Sequence, residues 1–261
     1  MNGLTNKQMG KKVLLFTTIG KLNEETHKNT TNAFKSWKGF DVVIFGEDFH
    51  KPLCEDYGFI LDTDYERTEF GLPLVRSLFE SVKKYEGYDV YCYLNSDIRF
   101  PKSPQYIIDL IDFENFLLVG QRMDTFPDGS EKLHVAGGID YHFYTPNFWD
   151  LKDMPDFSIA RGRFDHWLMG YAYTYGNGNV VDLTNEWVPY HPDPIRRVDG
   201  DFSNLFNSGE DVKKAYQIFR NNYYFANAKL HGQTDMAKFY VEDGKVKQRE
   251  NKVKNEFNIL F

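Results

Sequence analysis

Unbroken apolar runs alternate with polar loops and with stretches of helical spacing along most of this chain. Val13 to Thr17 (VLLFT) is apolar at consecutive positions, as expected of a strand covered on both faces. A polar loop from Thr18 to Lys28 leads to a helix around Asn29 to Trp37, and Asp41 to Phe45 reads as a second strand. That β-α-β order predicts parallel pairing. Phe59 to Leu61 is a short third strand, and Leu74, Val75, Leu78, Phe79 and Val82 recur at helical spacing within a helix over 72–85. Further on, the pattern predicts a helix from Tyr106 to Ile111 and a strand from Phe116 to Gly120. Gly137 to Tyr144 reads as a strand opened by two glycines, which let a backbone or ligand come close. Then follow a helix from Arg163 to Tyr175, a strand from Asn179 to Leu183 and helical stretches around Glu210 to Phe225.

The run Tyr91 to Phe100 (YCYLNSDIRF) stops abruptly on Asn95, Ser96 and Asp97. A strand that delivers a carboxylate at its carboxyl end is where α/β proteins place ligand chemistry, because the sheet fixes the backbone while the next loop stays open. Two readings compete there. Asp97 either offers hard oxygen ligands to Mg²⁺ or Mn²⁺, which suit a diphosphate, or caps a turn among residues that commonly form one.

Composition narrows the field. The 261 residues are 41% hydrophobic, enough for one large α/β domain, and no Pro/Ser/Gly-rich linker divides them. A net charge of −7 argues against nucleic acid as the partner, since such proteins need a basic face; any bound phosphate requires a local cation. The two cysteines, Cys54 and Cys92, sit in or beside apolar runs and suggest neither a disulfide framework nor a zinc site. The amino terminus lacks a secretory apolar core, and no run approaches the ~20 apolar residues that span a bilayer, so a soluble, cytoplasmic protein is expected. The basic tail from Lys245 to Lys254 reads as a solvated face.

Nine segments in order carry a resemblance to a known family: VLLFTTIG at Val13, SWKGFDVVIFGED at Ser36, FGLPLVRSLF at Phe70, YLNSDIRF at Tyr93, LLVGQRMD at Leu117, GGIDYHFY at Gly137, FSIARGRFDHWL at Phe157, VVDLT at Val180 and YHPDP at Tyr190. Together they resemble GT-A type, nucleotide-sugar-dependent glycosyltransferases, in particular a subgroup of small proteins of bacteria, plants and large viruses. The resemblance implies an α/β GT-A fold with a mixed, mainly parallel central sheet flanked by helices. It implies a single domain over 1–261, with a nucleotide-binding part over 13–120, an acceptor and catalytic part over 121–200 and a C-terminal helical extension over 201–261.

In that family an Asp-x-Asp element holds a divalent cation on the donor diphosphate. Here it reads Asn95-Ser96-Asp97, so only Asp97 carries over as an anionic ligand. His191 is the candidate second ligand, with His231 behind it; either histidine is alternatively an ordinary hydrogen-bonded residue. The implied donor is a nucleoside diphosphate sugar, its base and ribose near Thr17, Thr18, Ile19 and Asp48, its diphosphate near Arg76 and the Asn95–Asp97 turn. The implied acceptor is a hydroxyl of a glycan or glycoconjugate. Asp165 is the leading general base, or else a helix N-terminal carboxylate steadied by the dipole, and Asp140 is the next catalytic candidate. Arg161, Arg163, Arg196 and Arg197 are candidate phosphate or hydroxyl contacts, and Trp149 and Trp167 either stack on a sugar or fill the core. Two other classes stay open. One is a sugar nucleotidyltransferase, which normally has a Gly-rich basic loop where this chain has TTIGKLNEE; the other is a catalytically silent carbohydrate- or nucleotide-binding module.

Overall fold

Strands that are apolar on both faces form the middle of the sheet. In the computed structural model, which describes residues 10–192 and 211–250, β1 (Val13–Thr18) lies between β2 (Asp41–Phe45) and β4 (Val90–Leu94), parallel to both. Beyond β2 lies β3 (Ile60–Asp62), also parallel. Leu14 and Phe16 of β1 point into one core while Val13 and Leu15 point into the other, which is why the run is unbroken.

The rest of the sheet is mixed. β8 (Tyr141–Tyr144) runs antiparallel between β4 and β5 (Phe116–Val119); β9 (Asn179–Asp182) follows parallel to β5. β11 (Phe239–Glu242) and β12 (Lys245–Gln248) complete a nine-stranded order of β12-β11-β9-β5-β8-β4-β1-β2-β3. A second sheet of three strands, β10-β6-β7, is made by Met123–Thr125 (β6), Glu131–Leu133 (β7) and Tyr190–Pro192 (β10). Helices α1 (Glu24–Ser36), α2 (Lys51–Tyr57) and α4 (Gln105–Leu110) cover one face, through Phe34, Cys54 and Ile107 among others. Helices α3 (Val75–Ser81) and α5 (Phe164–Tyr175) cover the other, and α6 (Asp211–Ala228) packs on α5.

Two expectations are corrected by this arrangement. The stretch Thr18–Lys28 is not all loop, because Asn23 and Thr26 form a reciprocal capping box and start α1 at Glu24. The region beyond 200 is helical over α6 but then returns to the sheet as β11 and β12, with Val241 fully buried, so part of the expected basic tail is strand. Residues 251–254 of that tail lie outside the described residues. No helix among the described residues is long and apolar enough to cross a membrane.

Candidate functional site

The carboxyl end of β4 delivers Asn95, Ser96 and Asp97 into a cluster of charged side chains. Asn95 is held by its own backbone N–H, which donates to the Asp140 carbonyl at 3.0 Å, and by its amide, which donates to Asp140 Oδ1 at 2.6 Å. The Tyr93 hydroxyl donates to Asn95 Oδ1 at 3.2 Å, so this amide is a fixed strut. Ser96 is partly exposed. The side chain of Asp97 keeps a third of its surface, 33%, and its Oδ2 stands 3.5 Å from His191 Nε2. Burial and the neighbouring Asp140 raise its pKa against the pull of His191.

His191 comes from β10, 94 residues later in the chain, and its place follows from backbone pairing. Arg99 and Tyr190 exchange N–H···O=C bonds at 2.9 Å, which sets β10 beside the Asp97 turn. The other ring nitrogen, Nδ1, faces Asp124 Oδ1 at 3.6 Å. Burial opposes a charge on this imidazole, but Asp124 and Asp97 outweigh it and raise the pKa.

Beneath these residues Arg122 ties the cluster together. Its Nε donates to Asp124 Oδ1 at 2.8 Å and its Nη1 to Asp140 Oδ2, while His134 Nδ1 lies 2.6 Å from Asp124 Oδ2. Burial works against ionising Asp124 and Asp140, yet the cationic and hydrogen-bonding partners hold both carboxylates below their ordinary range. Both oxygens of Asp140 are engaged, one by Asn95 and one by Arg122, so this carboxylate positions its neighbours. Arg122→Leu therefore strands two nearly buried carboxylates. Because Asn95 and His134 still hold them, the cost sits at the lower end of the range for a broken buried pair, about 3 kcal/mol. Thermal unfolding should register it as a loss of about 6–12 °C; a loss of under about 2 °C would show that the guanidinium is not what compensates them.

Asp165 enters from the first turn of α5. Ring contact between Phe164 and Tyr93, with centroids 6.1 Å apart, sets the start of α5 against β4, and the Tyr93 phenol lies within the fields of Asp140, Asp165 and Asp97 together. One oxygen of Asp165 accepts the His166 backbone N–H at 2.9 Å. Enclosure pushes its pKa up to about 7, with Asp140 adding to the effect. The loop that presents it is unusual: Ala160, Gly162 and Arg163 all have positive φ, at 58°, 71° and 72°. Such strain persists only under constraint. Asn221 of α6 supplies it, accepting the Ser158 N–H and donating to the carbonyls of Ser158 and Gly162, each at 3.0 Å.

The raised pKa has a stability consequence. Below about pH 4 Asp165 is protonated in folded and unfolded chains alike. Between about 4 and 7 the unfolded chain ionises while the fold keeps its proton, so stability falls with rising pH; above 7 the full penalty stays constant. Asp165→Asn, which keeps the bond from His166 N–H, is expected to raise the melting temperature by an increment that grows from pH 4 to 7 and then levels. A pH-independent increment in thermal melts would contradict this.

The remaining expected site residues divide. Thr17 and Ile19 are buried at the end of β1, and Thr18 Oγ1 donates to the Phe45 carbonyl at 2.8 Å, tying the ends of β1 and β2 together. Asp48 is exposed in the turn after β2. Arg76 pairs with Glu66 and Asp156, at 3.3 and 3.5 Å, rather than with the Asp97 cluster. Arg161 bonds Gln217 and the Ala160 carbonyl, Arg163 bonds Asn222, and Arg196 and Arg197 lie outside the described residues. His231 stacks on His166, centroids 5.0 Å apart. Trp149 and Trp167 are core residues, exposed by only 5% and 2%. The two glycines before Asp140 admit protein side chains rather than a ligand: a Cβ at Gly137 would stand 2.6 Å from the His166 ring, and one at Gly138 would stand 1.9 Å from the His134 ring.

Sequence reasoning missed Arg122, Asp124 and His134, which form the floor of the site. The available signal was the R-x-D spacing just after an apolar strand, which puts Arg122 and Asp124 on one face. It also missed the ion pair of Glu47 and Arg67 at 2.5 Å, with the guanidinium lying over the Tyr65 ring at 4.0 Å, at the carboxyl end of β2. Nearby, a groove of about 640 Å³ opens between the starts of α1 and α2, lined by Lys21, Leu22, His27, Phe49 and His50; the ring of Phe49 is 62% exposed.

Among the described residues, no group of three or more His, Cys, Asp and Glu side chains is arranged to hold an ion. The pair Asp97 and His191 nevertheless fits two positions of one. Ligands each ~2.1 Å from an ion stand at most about 4.2 Å apart, and the observed 3.5 Å lies within that limit. Asp124 faces the far nitrogen, the position from which a carboxylate fixes a metal-binding imidazole.

Compared with protein-family models and with the sequences of curated proteins, the chain matches none. Solved structures do match. GalNAc-T7 with UDP, GalNAc and Mn²⁺ aligns over 83% of this chain and 50% of its own, at 11% identity and a TM-score of 0.51. TarS 1–349 from S. aureus with UDP-GlcNAc aligns over 83% and 73%, at 12% identity and a TM-score of 0.47. The mannosyltransferase PcManGT from Pyrobaculum calidifontis with GDP-Man and Mn²⁺ covers 85% and 74%, at 10% identity and a TM-score of 0.46. The chain spans half the length of GalNAc-T7, and at these identities the likeness shows the fold: this chain has the GT-A fold of nucleotide-sugar-dependent glycosyltransferases.

Proposed function

We propose that this protein is a glycosyltransferase that moves a sugar from a nucleoside diphosphate sugar to a hydroxyl of a glycan or glycoconjugate. One observation carries the reading: Asp97 and His191, far apart in sequence, stand 3.5 Å apart at the carboxyl end of the central strand, and Asp165, whose pKa is raised to about 7, shares the neighbours Tyr93 and Asp140 with Asp97. Asp97 and His191 would hold Mn²⁺ or Mg²⁺, and the ion when bound neutralises charge on the departing diphosphate. Asn95 contributes no charge there; its amide keeps Asp140 and the turn in place. The exposed Asp48, the Glu47–Arg67 pair and the groove beside Phe49 lie at the carboxyl ends of β1 and β2, where α/β sheets bind nucleotides.

In the transfer, Asp165 takes the proton of the acceptor hydroxyl as its oxygen bonds to the anomeric carbon, and the nucleoside diphosphate leaves with the electron pair of the broken bond. A carboxylate with pKa near 7 is basic enough to do this and still ionised at working pH. Attack on the face opposite the leaving group inverts the anomeric configuration; a product with the donor's configuration, read by NMR, would remove Asp165 from this role. A silent binding module is the second reading, favoured by the single carboxylate that the Asn95–Asp97 turn offers. Thermal shifts with UDP-, GDP- and dTDP-sugars, with Mn²⁺ or with EDTA, test the proposal. Stabilisation by one nucleotide family that EDTA removes supports it, and stabilisation indifferent to EDTA, without turnover, supports the module.

A further inference from the structure

At the opposite end of the central strands, where β4 begins and β8 ends, lies a second groove, of about 540 Å³, that takes no part in the chemistry above. It opens where β4 begins and α5 ends, and its walls include Tyr91, Asn147, Trp149, Tyr171, Tyr175 and Asn177. Tyr175 follows Asp165 by ten residues of α5, about 15 Å along the helix axis.

An aromatic ladder runs out of the core into this groove along α5. Trp167 stacks on Tyr171 with centroids 4.9 Å apart and planes 24° from parallel, and Tyr171 meets Tyr175 at 5.2 Å. The Tyr171 hydroxyl donates to the Asp150 carbonyl at 2.6 Å, which fixes the middle ring. Tyr175, the outer rung, is 64% exposed although its neighbours hold it from below. The floor is pinned as well. Gly176 packs where a Cβ would stand 2.9 Å from the Phe148 ring, and the Asn177 N–H donates to the Phe148 carbonyl at 2.6 Å. A large exposed ring on a fixed support loses little entropy when a ligand covers it.

The rim decides which ligand. Its charged members are already neutralised: Lys83 by Glu80 at 2.8 Å and Asp150 by Lys152 at 3.2 Å. The other polar lining residues are the exposed Asn147, Asn177 and Tyr175, whose amides and phenol both donate and accept, the Asn177 amide also reaching the Asn147 carbonyl at 3.4 Å. Flat apolar faces edged by uncharged hydrogen-bonding groups complement a neutral polyhydroxylated chain, not a phosphate or an acidic peptide. We propose that this groove is a second carbohydrate site that binds a neutral oligosaccharide away from the reaction centre. It rests on the glycosyltransferase reading only in identifying that chain with the acceptor; the binding itself does not depend on it.

The test uses the full chain without nucleotide and follows tryptophan fluorescence during titration with cellohexaose, maltohexaose and chitohexaose. At least one should bind, Tyr175→Ala should weaken it about tenfold or more, and Tyr175→Phe, which keeps the ring, should bind nearly as the parent does. Asp97→Ala should bind like the parent, which separates this groove from the donor site. Parent-like donor hydrolysis by Tyr175→Ala, with a raised KM for a polymeric acceptor, extends the proposal to acceptor capture. Failure of all three sugars to bind, binding unaffected by Tyr175→Ala, or binding lost in Asp97→Ala would overturn it. If donor turnover fails while Tyr175-dependent sugar binding persists, the glycosyltransferase reading falls and the second site stands.

Discussion

Asp165→Asn is expected to lower kcat by about 10²- to 10⁴-fold, the range that a positioned general base supplies. Donor affinity should be nearly unchanged, because the amide keeps the bond from the His166 N–H and the shape of the strained loop. In the parent, kcat/KM should climb tenfold per pH unit up to about pH 7 and then level, since the free enzyme must first lose the proton that enclosure retains on this carboxylate. Steady-state kinetics across pH 5–9 check both statements. A variant that loses donor binding instead, or a parent whose rate is flat through pH 7, would assign Asp165 to structure alone.

Asp97→Asn is expected to abolish metal-dependent donor binding and to cut kcat/KM by about 10²- to 10³-fold, as when a group that stabilises developing charge is removed. The substitution keeps the size of the side chain, but it deletes the only anionic ligand that the turn presents and leaves His191 Nε2 without its partner at 3.5 Å. Asp124→Asn should do less, weakening Mn²⁺ by 10- to 100-fold, because Asp124 acts through the imidazole. Titration of Mn²⁺ by calorimetry in the presence of the donor nucleotide separates the two. Equal Mn²⁺ affinity in parent and Asp97→Asn would place the ion elsewhere.

Much of this architecture was legible in the sequence because burial on both faces leaves an unambiguous mark. β1, β2, β4 and β5 are continuous apolar runs, and α5 is rich in apolar and aromatic residues from Phe164 through Tyr175. The small sheet of β6, β7 and β10 was illegible: its strands are three residues each, partly or fully exposed, and β10 pairs with β6 across 67 residues of chain. The start of α1 was misread because Asn23 and Thr26 look like loop residues until their reciprocal bonds are seen.

The candidate site divides along the same line. Asp97 could be found because it ends an apolar strand, and Asp165 because it opens a helix. The roles of Asn95 and Asp140 could not, since a strut and a ligand use the same side chains and differ only in what they touch. Arg122 was hidden for a related reason. The R-x-D spacing pairs Arg122 with Asp124, but nothing in the sequence near it shows that Asp140, 18 residues on, closes on the same guanidinium.

The most direct measurement is release of nucleoside diphosphate from UDP-, GDP- and dTDP-sugars with Mn²⁺, by the parent and by Asp97→Asn, first without acceptor and then with an oligosaccharide. The account predicts that one nucleotide family is turned over, that acceptor accelerates the release, and that Asp97→Asn cuts both by about 10²- to 10³-fold. Turnover of none of these donors, or turnover unchanged in Asp97→Asn, would contradict it.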